Sequence, residues 1–109
     1  MGIFADLFKK KADANRKAVG NVEDFVSLTR VYFQSVMYAM KDRQDFAMLV
    51  GPEEITAECV LLGGHGGING GANMFPELYV DLYHAAVARD METVSRLQPL
   101  VMQISSSIY

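Results

Sequence analysis

The sequence has little of what marks secreted, membrane-bound or nucleic-acid-binding proteins. It contains no tryptophan and a single cysteine, Cys59, so no disulfide forms within the chain and a reducing cytoplasm is the simplest setting. No apolar run approaches the roughly 20 residues that span a bilayer. The formal net charge of −3 gives no basic excess for nucleic acid. These absences predict a cytoplasmic protein with neither nucleic-acid nor membrane partners.

Length sets a second limit. With 109 residues the chain is at most one small domain, and with 50% hydrophobic and 21% charged residues it has the composition of a globular protein. The apolar residues near the amino terminus precede the lysines at 9–11, the reverse of a signal peptide. We interpret this segment as an amphipathic terminus with a solvated basic end; the alternative is a helix that binds a membrane surface or a partner.

Glycine is concentrated in one place. Six of the nine glycines lie between Gly63 and Gly71, in the string GGHGGINGGANMFP. Such a density marks backbone that adopts unusual dihedrals or that is approached closely by another group. Pro76 then suits the first turn of a helix, where its missing N–H costs nothing.

Apolar spacing predicts four helices and two short strands. The helices are expected at 22–40, 53–62, 76–89 and 91–107, with Asp90 as the cap of the last and Pro99 as a kink or interruption within it. Phe46–Val50 is a continuous apolar run, typical of a parallel strand buried on both faces, and a second strand is expected at about 66–68. The helix between the strands requires a crossover, which predicts parallel pairing.

The glycine string, together with LVGPEE upstream of it, resembles the last two strands of the dihydrodipicolinate synthase / N-acetylneuraminate lyase family. The resemblance covers residues from about 40 to 109, whereas residues 1–30 have no counterpart that we can place. The family consists of (β/α)₈ barrels that form a Schiff base between pyruvate and a lysine. The resemblance therefore implies an α/β fold made of the last two β/α units of a TIM barrel, preceded by an unrelated helical segment.

The resemblance also implies roles for individual residues. In the family, the glycine after the seventh strand and the isoleucine of the eighth line the pyruvate pocket, and these roles fall on Gly51 and Ile68. Asn69 stands where many relatives have serine. A pyruvate or other 2-oxo acid would be the partner of the whole enzyme. His65, Gly66, Ala72 and Asn73 match positions that shape the strand and its turn.

The catalytic groups of the family are not expected in this chain. Its lysine and tyrosine lie on earlier strands, and a complete barrel needs about 250 residues. Lys41 is followed by aspartate, as the family lysine commonly is, but it ends an apolar helix and is better interpreted as a charge that favours the helix dipole. We therefore predict no catalytic residue, no cofactor and, because His65 and His84 fit no ligand spacing, no metal site.

These considerations predict a division of the chain into a helical segment of separate origin at 1–36 and a barrel fragment at 37–109, as in a fusion or chimera. Two alternatives remain for function: a small helical interaction module, and an anion-binding glycine loop that lacks the usual Lys-Ser/Thr. Two parallel strands leave both sheet edges open, so self-association is expected.

Overall fold

The computed structural model describes residues 22–108, and the amphipathic segment predicted at the amino terminus lies outside them. This part of the chain contains four α-helices and one two-stranded sheet. In chain order the elements are α1 (Val22–Met40), β1 (Leu49–Val50), a 3₁₀ turn (Glu53–Ile55), α2 (Thr56–Leu61), β2 (Gly66–Gly67), a second 3₁₀ turn (Gly70–Asn73), α3 (Pro76–Val87) and α4 (Met91–Ile108).

The four predicted helices and the parallel pairing are confirmed. Leu49 lies opposite Gly66 and Val50 opposite Gly67, in parallel register. The strands are shorter than predicted, two residues each. The last helix runs through Pro99 without interruption.

The core lies on one side of the sheet and between the helices. Val50 packs beneath α1 and α2 in a cluster with Val26, Phe33, Ile55 and Cys59. A second, larger cluster joins α2, α3 and α4; its buried members are Ala57, Val60, Tyr79, Leu82, Ala85, Ala86, Val94, Leu97 and Val101. The second cluster therefore joins the three helices to one another, whereas the first cluster anchors the sheet through Val50.

The prediction that β1 is buried on both faces is wrong. Val50 is 3% exposed, but Leu49, on the opposite face, is 48% exposed. Alternate residues of a strand point to opposite faces, and the cluster with Val26, Phe33, Ile55 and Cys59 covers the face of Val50. The face of Leu49 is thus only partly covered.

Two large apolar side chains at the helices lie outside the core. Leu62 is 62% exposed, because α2 ends at Leu61 and Gly63 turns the chain with a positive φ of 106°. Phe25 is 53% exposed, and among residues 24–40 of α1 only Val26 and Phe33 are buried. α1 therefore contacts the core along a narrow line, supported by a hydrogen bond of 2.5 Å from Arg30 Nε to Glu58 Oε1 on α2.

Asp90 caps α4 as predicted. Its Oδ1 accepts from the backbone N–H of Thr93 at 3.1 Å, and its Oδ2 accepts from the Thr93 hydroxyl at 2.6 Å. The hydrogen bond from the Thr93 side chain is the main cause that lowers the pKa of Asp90. Because the folded-state pKa is depressed, the cap stabilises the protein above the unfolded pKa, and this contribution is lost as the pH falls through the folded pKa.

We expect Asp90→Ala to lower the Tm by a few degrees at neutral pH, because the first turn of α4 loses the acceptor for its N–H groups. The difference from the parent should shrink as the pH is lowered and Asp90 protonates. Thermal unfolding followed by circular dichroism across a pH series measures both effects. Asp81→Ala, which removes an exposed carboxylate from within α3, is the matched control and should leave the Tm nearly unchanged.

Candidate functional site

The two residues predicted to contact pyruvate lie side by side at the carboxyl ends of the strands. Gly51 follows β1 directly, and the backbone N–H of Ile68, just after β2, donates to Val50 O at 2.8 Å. A Cβ added to Gly51 would meet nothing within 4 Å, and Ile68 is 72% exposed. The structure thus brings the two segments together on an open surface, where their backbone groups can be reached.

Asn69 joins the two loops that leave the strands. Its Nδ2 donates to Gly51 O at 2.9 Å, and its Oδ1 accepts from the Thr56 hydroxyl at 3.1 Å. The side chain fits tightly, since a Cβ on Gly67 would come within 2.5 Å of Asn69 Oδ1. Sequence reasoning noted only that Asn69 replaces a serine, and missed that its amide holds Gly51 in place. We call these contacts the Asn69 clamp.

We expect Asn69→Ala to destabilise the chain by about 1–3 kcal/mol, because the Thr56 hydroxyl and Gly51 carbonyl each lose a hydrogen-bond partner. Denaturant unfolding measures the loss. Asn73→Ala is the control, since Asn73 Nδ2 donates only to the exposed carbonyl of Gly70, at 3.1 Å, within its own turn. Equal losses from the two variants would show that the clamp has no special role.

His65 fixes the start of β2 against β1. The backbone N–H of Met48 donates to His65 Nδ1 at 2.9 Å, and the backbone N–H of His65 donates to Met48 O at 2.8 Å. A neutral imidazole with its proton on Nε2 satisfies the first bond. This agrees with the structural role that the sequence predicted for His65.

A buried acid, Glu53, packs against the glycine segment, and the sequence did not predict it. Glu53 is 2% exposed, the Tyr79 hydroxyl donates to its Oε2, and Gln98 Nε2 donates to its backbone carbonyl at 3.3 Å. Gly71 lies against this pair, because an added Cβ would collide with Tyr79 Oη and would come within 2.6 Å of Glu53 Oε2. Glu53 is the first residue of a predicted helix, and no local signal in the sequence points to its burial.

Other candidate nucleophiles are poorly placed for chemistry. Lys41 lies just beyond α1, exposed, with its ammonium 5.1 Å from the centre of the Tyr38 ring. Cys59 is buried, and desolvation, assisted by the charge of Glu58, raises the pKa of its thiol to about 12. A thiol with so high a pKa stays protonated at neutral pH and is a poor nucleophile.

Neither a metal cluster nor a membrane span is found in the described part of the chain. Within residues 22–108, no three His, Cys, Asp or Glu side chains come together as a ligand set. No helix in the same range is long and apolar enough to cross a membrane.

A groove of about 330 Å³ runs between β2 and α3. Thr56 and Asn69 of the Asn69 clamp and both residues of β2 contribute to it. The groove is lined by Leu49, Thr56, His65, Gly66, Gly67, Asn69, Ala72, Pro76, Tyr79, Val80 and Tyr83. Gly51 and Ile68 are not part of its lining.

Comparison with known proteins gives two kinds of match, and they overlap along the chain. The sequence profile of a domain of unknown function, DUF8491, matches residues 1–53, which include the predicted segment 1–36 and β1. A solved structure of dihydrodipicolinate synthase from the commensal bacterium Bacteroides thetaiotaomicron matches with a TM-score of 0.71 and 76% identity, over 73% of this chain and 27% of that chain. The chain contains a partial dihydrodipicolinate synthase segment.

Curated relatives agree on this segment. A DapA-like lyase of Pyrococcus abyssi is 28% identical over 92% of this chain and 33% of its own length. Another, of Thermofilum pendens, is 31% identical over 84% of this chain and 29% of its own length. The 4-hydroxy-tetrahydrodipicolinate synthase of Methanospirillum hungatei is 29% identical over 72% of this chain. The chain therefore spans about a third or less of the length of these relatives.

Proposed function

We propose that residues 37–109 are the carboxyl-terminal part of a (β/α)₈ barrel of a pyruvate-dependent Schiff-base lyase, and that this chain alone forms no imine. The observation that carries the proposal is the pair of parallel strands with Gly51 and Ile68 at their carboxyl ends. In (β/α)₈ enzymes the active site lies at that end of the strands. The 76% identity to the Bacteroides enzyme supports the same assignment.

In this proposal residues 37–109 line part of a pyruvate site but provide none of its catalytic groups. Gly51 offers backbone without a side chain, so a small 2-oxo acid can approach closely, and Ile68 offers an aliphatic wall. The Asn69 clamp holds the two at a fixed separation. The substrate of the whole barrel would be pyruvate or another 2-oxo acid.

The missing chemistry is that of an amine nucleophile and a proton relay. Lys41 is the one lysine among residues 22–108, and it lies exposed at a helix end. A lysine that forms an imine is activated by desolvation or by a neighbouring cation. The environment of Lys41 provides no desolvation, which supports the proposal that the chain is inactive by itself.

Reductive trapping tests this function. The purified chain is incubated with pyruvate and borohydride, and its intact mass is measured. An imine would form with loss of water, and hydride would reduce it to a stable secondary amine. We expect no added mass, whereas the full-length Bacteroides enzyme, as a positive control, should be labelled. A stoichiometric adduct mapped to any lysine of this chain would overturn the proposal.

A helical interaction module is the second candidate. It is favoured by the exposed aromatic side chains of α1, Phe25 at 53% and Tyr38 at 68%. An anion-binding glycine loop has less support, because the groove beside the glycines has no Lys or Arg in its lining. We further propose that 1–36 has a separate origin, that the chain self-associates through its open surfaces, and that it functions in the cytoplasm.

A further inference from the structure

Asn69 is followed directly by Gly70, and in this pair the asparagine side chain can react with the backbone of its neighbour. The backbone nitrogen of the following residue attacks the side-chain carbonyl carbon, and glycine has no side chain to block that approach. Gly70 is exposed and Asn69 is half-buried, so water and hydroxide can reach both. The pair is therefore open to the reaction that makes asparagine a thermolabile residue.

The attacking group, the backbone N–H of Gly70, has no competing hydrogen bond in the described part of the chain. Gly70 is the first residue of the second 3₁₀ turn, so its N–H finds no acceptor within that turn. Asn69 makes no side-chain cap to the turn, and no hydrogen bond between the described loops uses this N–H. The N–H that follows Asn73 differs, because Met74 N donates to Gly71 O at 3.0 Å. The two asparagines of the glycine segment thus differ in how available the attacking nitrogen is.

The Asn69 clamp restrains the group that is attacked. Asn69 Nδ2 donates to Gly51 O at 2.9 Å, and the Thr56 hydroxyl donates to Asn69 Oδ1 at 3.1 Å. The backbone of Asn69 is extended, with φ −104° and ψ 133°. The cyclic intermediate instead needs Asn69 Cβ and Gly70 N to be eclipsed about the Cα–C bond. Ring closure therefore requires the clamp to open locally and the backbone to rotate.

We propose that Asn69 deamidates in this chain, that the Asn69 clamp sets the rate, and that the product cannot form the clamp again. Gly70 N loses its proton to hydroxide and bonds to Asn69 Cγ. The bond from Cγ to Nδ2 breaks, and ammonia leaves with a proton from water, which restores the hydroxide. Water then opens the succinimide ring at either carbonyl and leaves isoaspartate or aspartate. One water is consumed and one ammonia is released, with no oxidant or reductant.

Either product removes the donor on which the clamp depends. A carboxylate only accepts hydrogen bonds, and an aspartate here would face the carbonyl oxygens of Val50 and Gly51, to which Nδ2 now donates. Isoaspartate also inserts a methylene group into the backbone before the turn that contains Gly71. Gly71 packs tightly against Tyr79, so the turn cannot take up a longer backbone without moving. Deamidation is thus an irreversible change from a closed to an open clamp.

The inference is independent of the proposed function, because the reaction needs neither pyruvate nor any other part of a barrel. Peptide mapping by mass spectrometry tests it. The folded chain is incubated at mildly alkaline pH, and conversion of amide to acid is followed at Asn69 and at Asn73, the internal control. We expect conversion at Asn69, with both isoaspartate and aspartate as products, and far slower conversion at Asn73. No conversion at Asn69, or equal conversion at the two asparagines, would overturn the proposal.

The role of the clamp is tested by loosening it. In a chain unfolded by guanidinium chloride, Asn69 should convert at least about tenfold faster, because its amide no longer gives up the hydrogen bonds of the clamp. Thr56→Val removes the hydroxyl that donates to Asn69 Oδ1 and should speed conversion in the folded chain by about two- to tenfold. Thr56→Ser keeps the hydroxyl and should convert as the parent does. Equal rates in the folded and unfolded chains, or in the two variants, would contradict the proposal.

Asn69→Asp reproduces one product and tests whether the clamp opens. We expect its midpoint of urea unfolding to fall at least as far as that of Asn69→Ala, because the carboxylate adds repulsion to the loss of a donor. Asn73→Asp is the matched control, since Asn73 Nδ2 donates only within its own turn, and its midpoint should stay close to that of the parent. An Asn69→Asp variant as stable as the parent would show that the product keeps the clamp, and would overturn the proposal.

Discussion

Gly71→Ala is expected to destabilise the fold by about 1–3 kcal/mol or more, because the added methyl group has no room. The Cβ would collide with Tyr79 Oη and would lie 2.6 Å from Glu53 Oε2 and 2.7 Å from Tyr79 Cζ. Neither neighbour can move freely, since Glu53 and Tyr79 are both buried and hydrogen-bonded to each other. Separating them would leave a buried carboxylate oxygen without its donor.

Gly51→Ala is the control for this substitution. An added Cβ meets nothing within 4 Å, and the φ of Gly51 is not in the positive range where side chains are strained. We expect the variant to be as stable as the parent, or more stable by up to about 1 kcal/mol, because alanine restricts the unfolded chain. Urea unfolding of the pair gives the comparison. Similar midpoints for Gly71→Ala and Gly51→Ala would show that the Glu53–Tyr79 pair does not constrain the glycine segment.

Leu82→Ala should cost about 2–5 kcal/mol, a large part of the stability of a domain this small. Leu82 is 1% exposed and lies in the cluster that joins α2, α3 and α4. Its truncation removes apolar contacts and leaves a cavity between α2, α3 and α4. Because this packing is weakened, we expect the variant to unfold less cooperatively and to expose more apolar surface. Binding of a hydrophobic dye measures that exposure.

Leu62→Ala is the matched control, since Leu62 is the same residue type but 62% exposed beyond the end of α2. Its effect on unfolding should be within about 0.5 kcal/mol. If Leu62→Ala costs as much as Leu82→Ala, the core is not where the structure places it.

Local patterns predicted the helices and the sheet direction well. α3 and α4 were predicted from apolar spacing, and Asp90 from its position before a periodic segment, because these signals lie within a few residues of each other. The parallel pairing of β1 and β2 was predictable because a helix of ten or so residues between two strands requires a crossover.

What the sequence could not predict depends on contacts between distant residues. Glu53 and Tyr79 are 26 positions apart, and nothing near Glu53 indicates that a charged residue is buried there. Asn69 and Gly51 are 18 positions apart, so the Asn69 clamp has no local signature. Whether Leu49 is exposed depends on which other elements pack against its face of the sheet. An apolar run alone does not specify those elements.

Sedimentation velocity across a concentration series tests most directly whether this chain is part of a larger barrel. The partly covered face at Leu49 and the unpaired edge of β2, among the residues described, predict self-association when no partner strand is supplied. The weight-average sedimentation coefficient should rise with concentration, and Leu49→Lys should reduce the rise. A monodisperse monomer at all concentrations, with a single cooperative unfolding transition, would contradict the account and identify the chain as a self-sufficient small domain.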